Sequence, residues 1–232
     1  MNLNDLYKKV SAIPIGDFPP SALSGLLHGY ISVYSIVRVN PWLEDVYGSQ
    51  WDLHERIREI AGELADLIKD PSVTLEDRVG HIADLMEAYL TYSDMDFLDI
   101  ALDAAYGIIS LEGSDEIVLP CRTPEICRLL CSCYYFTGED ECARLAKEII
   151  IEWEDRVKNI YNDLEQPDMW ELLRTVEFYE NIIGEKRERE LLGDMNLIGN
   201  NLLNDLKMGG QDLRCVSSYF DVLATKEYIN LK

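Results

Sequence analysis

The chain has 232 residues, 47% of them hydrophobic and 28% charged, enough for one large domain with a sizeable core. Lys and Arg total 21 against 43 Asp and Glu, and the net charge of -22 repels a phosphate backbone or an anionic membrane face. Nucleic acid and membrane are thereby excluded as expected partners, and basic peptides, cations and neutral ligands remain.

The opening residues Met1 to Val10 hold no apolar leader. No run approaches the roughly 18 apolar residues that a spanning helix requires. Five of the six cysteines crowd into Cys121 to Cys142 on expected helix, unlike a secreted disulfide framework. The expected compartment is a reducing cytoplasm.

Residues 1–20 read as a lead-in: an amphipathic helix over Leu3–Val10, then Ile13-Pro14-Ile15-Gly16 and Phe18-Pro19-Pro20, which interrupt it. Residues 21–232 read as one helical domain. Ser21 or Ser24 is placed to cap a helix over Ser24–Val39 that is apolar nearly all round, the pattern of a buried helix. Asn40-Pro41 ends it. After Gly48-Ser49, Leu53, Ile57, Ile60, Ala61, Leu64, Leu67 and Ile68 make a helical stripe that stops at Asp70-Pro71. Thr74, with Asp77 three residues on, opens the next helix as a weak capping box.

From here the chain repeats itself. Ile82, Leu85, Met86, Tyr89 and Leu90 are answered 45 positions later by Cys127, Leu130, Cys131, Tyr134 and Tyr135. Phe97, Leu98, Ile100 and Ala101 are answered at the same offset by Cys142, Ala143, Leu145 and Ala146, with matching turns at Ser93–Asp96 and Gly138–Glu141. A turn over Leu111–Asp115 and an extended connection over Ile117–Pro120 lie between the copies. Thr123-Pro124-Glu125 opens one hairpin with an N-cap, a first-position proline and an acidic first turn.

The second helix of that hairpin runs on past Trp153, and Gln166-Pro167-Asp168 opens another hairpin in the same way. Its turn is Gly184-Glu185, and Glu180 and Asn181 interrupt its stripe. Leu191, Leu192, Met195, Ile198 and Leu202 restore a helical face, Gly209-Gly210 breaks it, and Asp212 caps a last, unpaired helix bearing Cys215, Tyr219, Val222 and Leu223. No stretch alternates with period two, so no sheet is expected.

The expected fold is all-α: about four stacked α-α hairpins with a period of about 45 residues, forming an arc or partial α/α toroid. The first helices of the pairs (Ser24–Val39, Thr74–Leu90, Thr123–Phe136 and Asp168–Ile183) are the more apolar set and are assigned to the inside.

Ser24-Gly25-Leu26-Leu27-His28-Gly29 and Phe136-Thr137-Gly138-Glu139-Asp140 resemble the repeat of α/α toroids, most closely that of the lanthionine synthetase C-like proteins. Six-hairpin glycosidases and sugar epimerases share the turn and the second helix. The cyclases of the first group hold a catalytic zinc through Trp-Cys-x-Gly and Cys-His-Gly motifs. Neither motif occurs here, and closing such a ring takes more hairpins than this chain supplies. The resemblance implies a shortened relative without zinc, or an open arc of similar hairpins.

His28, within a Gly-x-x-His-Gly element, is the candidate catalytic residue by that resemblance. The plainer account is that Gly25 and Gly29 allow close helix packing around a hydrogen-bonded histidine. Cys127, Cys131 and Cys142 stand where Ile82, Met86 and Phe97 stand in the preceding copy, so they read as small core hydrophobes, and no metal or other cofactor is expected. Glu125 and Asp168, with Asp77, sit at inner-helix starts that converge on one mouth, where paired carboxylates serve glycosidase chemistry. Acids at helix N-termini are equally expected from the macrodipole. Tyr30, Tyr34, Trp170 and Tyr134 are candidates to line a groove, or are core. His54 and His81 have no assigned role.

No phosphate loop, HExxH or G-x-S-x-G pattern occurs. The expected function is therefore a non-catalytic binding module presenting a concave, acid-rimmed surface to a peptide or protein, with a basic ligand favoured by charge. The alternative is a small enzyme acting on peptides or carbohydrates through His28 and the mouth carboxylates. The last helix and the degraded hairpin before it are a candidate homodimer contact.

Overall fold

Capping and turn chemistry divide the chain into helices in the computed structural model, which describes residues 1–111, 117–160, 164–187, 195–209 and 212–231. Asn2 caps α1 (Leu3–Ser11) by accepting from the Asp5 amide. α2 is Pro20–Val39, followed by the single turn α3 (Glu44–Tyr47). Ser49 and Asp52 form a reciprocal capping box at the start of α4 (Gln50–Lys69). Thr74 accepts from the Asp77 amide to start α5 (Leu75–Tyr92), and Asp94 caps α6 (Met95–Ile108). Thr123 and Pro124 begin α7 (Pro124–Thr137) as expected, and α8 is Asp140–Ile160. α9 (Gln166–Ile183), α10 (Met195–Gly209) and α11 (Leu213–Leu231) complete the chain. Asp212 accepts from the Arg214 amide at the head of α11.

The hairpin repeat is written in the backbone as well as in the apolar stripes. Ser93, Gly138 and Gly184 end α5, α7 and α9 at matching repeat positions, with φ of 62°, 71° and 81°. A left-handed residue there satisfies the last helical carbonyls and turns the chain back.

Two expectations need correction. α2 begins at Pro20, four residues ahead of Ser24, because a proline needs no amide partner at the first helical position. Neither Ser21 nor Ser24 caps it, and the Ser24 hydroxyl bonds elsewhere. Apart from a short antiparallel pairing of Ser110–Leu111 with Ile117–Val118, the described residues form no sheet, and the fold is all-α as expected. Within the lead-in, Leu3, Leu6, Val10, Ile15 and Phe18 are buried.

The second concerns α11, which is far from unpaired: among the described residues it packs on α2 more extensively than any other two helices pack. Gly25 and Gly29 are the reason. A Cβ on Gly25 would lie 3.0 Å from the backbone of Ser217 and Ser218, and one on Gly29 would lie 2.4 Å from the Phe220 ring. The expected break at Gly209-Gly210 and the apolar pair Leu191-Leu192 fall partly or wholly outside the described residues, as does the turn beyond Leu111.

Five helices share the interior, in a closed cycle of contacts: α2 with α5, α5 with α7, α7 with α9, α9 with α11, and α11 with α2. α4 packs on α2 and α5, α6 on α5 and α7, α8 on α7 and α9, and α10 on α9 and α11. The six cysteines are free, and Cys127 and Cys131 are buried among these apolar contacts. Burial pushes the Cys133 thiol up to about 12 and helps push that of Cys142 up to about 11, which leaves both as packing groups.

Candidate functional site

The first turns of all five inner helices border one cavity of about 250 Å³. α2 brings Pro20, Ser21 and Ser24; α5 brings Glu76, Asp77, Gly80, His81 and Asp84. Glu125 and Arg128 come from α7, Asp168 and Glu171 from α9, and Arg214 from α11. Helices that start at the same place run the same way, so five positive dipole ends meet at this mouth. The acids of the first turns answer that field.

Asp84 lies one turn deeper and is 1% exposed. Its Oδ1 accepts from Ser24 Oγ at 3.0 Å, His28 Nε2 at 3.1 Å and Arg128 Nη1 at 2.7 Å. Burial on its own would raise the Asp84 pKa, but Arg128, with His28 and Arg174, overrides it and holds the carboxyl far below its ordinary range. Arg128, itself buried, also reaches Glu87 at 3.0 Å.

From Glu87 the polar chain continues inward. Arg174 Nη2 lies 3.4 Å from Glu87 and its Nη1 3.4 Å from Asp221. Asp221 accepts from Trp170 Nε1 at 2.7 Å and from Thr225 Oγ1 at 3.2 Å, and Thr225 lies 3.4 Å from Ser32 on α2. Every inner helix contributes to this network, so its interior is held by directed bonds as well as by apolar packing.

Nearer the mouth, Arg214 pairs with Asp168 and lies 3.8 Å from Glu171. The Glu171 side chain keeps a quarter of its surface exposed, yet its withdrawal from bulk water raises its pKa to about 7 against the lowering pull of Arg214 and Arg128. Asp77 accepts from Thr74 Oγ1 at 2.7 Å. Among the described residues Glu76 and Glu125 have no hydrogen-bonded or ion-paired partner. His81 is 6% exposed, its ring Nε2 is buried without a partner, and burial lowers its pKa, so the ring is neutral at pH 7.

The residues singled out from sequence thus fall in separate places, with Tyr134 half-buried against the apolar core. Glu125 and Asp168 face the same cavity. His28 stands behind Asp84, outside the cavity lining, and Trp170 donates to Asp221 in the deeper network. Tyr30 is packed edge-on against Phe220 and Tyr7, and Tyr34 is half-buried with its ring 6.5 Å from that of His54.

Sequence reasoning passed over Asp84, Arg128, Glu171, Arg174 and Arg214. A signal for three of them was present: Asp84, Arg128 and Arg174 recur at offsets of 44 and 46 inside the first helices of successive hairpins. A charge kept at near-repeat spacing on a buried face marks a shared polar interior. Comparison with protein-family models, curated proteins and solved structures finds no match to this chain.

Proposed function

We propose that this protein is a non-catalytic binding module that seats a cationic group of a peptide or protein, an ammonium or a guanidinium, at the mouth of the five inner helices. One observation carries the reading. Six carboxylates and two guanidiniums line the cavity, both guanidiniums are already committed to carboxylates, and Glu76 and Glu125 have no hydrogen-bonded or ion-paired partner among the described residues. Five helix starts offset this charge by about half an elementary charge each, which reduces the negative field without reversing it. A volume of about 250 Å³ suits one side chain or a chain terminus. The repeat that resembles lanthionine synthetase C-like proteins lends the reading a peptide-handling context and is not needed for it.

The test is calorimetric titration of the whole chain with lysine- and arginine-bearing peptides and with their neutral and acidic counterparts. Basic peptides are expected to bind with an affinity that falls as salt rises, and Glu76→Gln with Glu125→Gln weakens them by about tenfold or more. Equal binding of neutral or acidic peptides would falsify the proposal.

A second reading, catalysis on a peptide or carbohydrate, is supported by one observation of its own: a carboxyl titrating at about 7 in the cavity. In that reading Glu171 is the acid–base group, and His28 acts through Asp84. Turnover that inflects near pH 7 and disappears in Glu171→Gln would carry it.

A further inference from the structure

α1 and α10 both pack on α11 and make no comparable contact with each other. Between them lies a cavity of about 700 Å³ that shares no residue with the acidic mouth. Leu6 comes to it from α1, Leu203 and Leu206 from α10, and Leu213 and Val216 from the first turn of α11. Lys9, in the last turn of α1, and Lys207, in the last turn of α10, are its charged side chains, and no carboxylate lines it. Both ammoniums are exposed, and neither has a hydrogen-bonded or ion-paired partner among the described residues.

Helix C-termini attract lysines, which accounts for each one singly. It does not account for two lysines, without an ion-paired partner among the described residues, bordering one apolar cavity in a chain with 43 acids to 21 bases. A wholly apolar guest would leave both ammoniums without a counter-charge, and a cationic guest would be repelled. We propose that this cavity binds a long-chain carboxylate, a fatty-acid-like molecule whose acyl chain lies on the leucines and whose head group is held by Lys9 and Lys207.

The neighbouring surface orients such a guest. Leu206 also borders a second cavity, lined by Glu165, Asp205 and Asp212, and those carboxylates drive an anionic head away from that side. The remainder of the strongly acidic surface repels free carboxylates, so the affinity is local to the two lysines.

Octanoate, decanoate and dodecanoate, titrated into the whole chain below their micelle concentrations, are the probes. One molecule is expected to bind, with affinity rising about fourfold for each added methylene. Lys9→Glu with Lys207→Glu leaves the circular dichroism unchanged and weakens dodecanoate by about tenfold or more. Should that variant fail to fold, Lys9→Gln with Lys207→Gln replaces it, with the same expected direction. Failure of dodecanoate to bind overturns the inference, and so does binding indifferent to the lysines. Sedimentation showing that a second copy of the chain covers the cavity, with dodecanoate unable to compete, overturns it as well.

Discussion

Asp84 is the side chain on which the interior depends, since three donors from α2 and α7 converge on one of its oxygens. Asp84→Ala leaves the Arg128 guanidinium buried beside Glu87 alone, and is expected to destabilise the fold by about 3–5 kcal/mol in urea denaturation. Its folded pKa is depressed, so its contribution is complete above the ordinary value of 3.8 and drains away as pH falls through the lower folded value. Glu171 has the opposite sign. Its folded pKa is raised, so the native state holds the proton more tightly, and stability declines as pH rises from 4.5 to about 7. Glu171→Gln should remove that decline, measured as the difference in urea midpoint between pH 5 and pH 8. If wild type and variant lose stability in parallel over that range, the carboxyl is not the titrating group.

At this scale the sequence was legible where acids begin helices, as at Glu125 and Asp168. One turn deeper, Asp84 and Glu171 lie among apolar neighbours, and a single charge in such a run reads as an interruption until its partner on the neighbouring helix is known.

The helices themselves were more legible than their ends. Ser93 occupies a left-handed position that Gly138 and Gly184 fill in the later copies, and it is exposed. An L-residue with a Cβ pays roughly 1–2 kcal/mol for that conformation, so Ser93→Gly is expected to stabilise the chain by about 1 kcal/mol. A urea midpoint that falls in the variant would contradict this. Proline explains why the start of α2 was misplaced: it ends helices from within and begins them from the first position, and the local sequence at Pro19-Pro20 does not say which. The partner of α11 escaped notice for a different reason. A hairpin repeat pairs neighbours in sequence, and the small faces of Gly25, Gly29, Ser217 and Ser218 that let α2 and α11 approach lie far apart along the chain.

For the whole molecule, the cycle of contacts changes what the loss of one end should do. In an open array the terminal repeat can be removed at the cost of one interface. Here α11 touches α1, α2, α9 and α10, and removing it exposes α2 along its most extensive contact. Truncation after Gln211 is therefore expected to abolish the cooperative unfolding transition, read by circular dichroism against urea. A truncated chain that retains a sharp transition at a slightly lower midpoint would mean that the remaining helices stand as an independent arc. The repeat made the stacking visible from sequence. Its closure was not visible, because nothing in a period of 45 says that the last unit must return to the first.

That return has a consequence in time. Ser32 and Thr225 meet across 193 residues, and the contact between α2 and α11 joins segments far apart in the sequence. Contacts of high sequence separation slow folding, and this one cannot form until both helices have been synthesised. During synthesis α2 emerges among the first helices, and its principal neighbour follows only after about 10–40 seconds of elongation. For that interval α2, twelve of whose residues are buried in the folded protein, has one apolar face uncovered, and the nascent chain needs shelter until α11 has emerged.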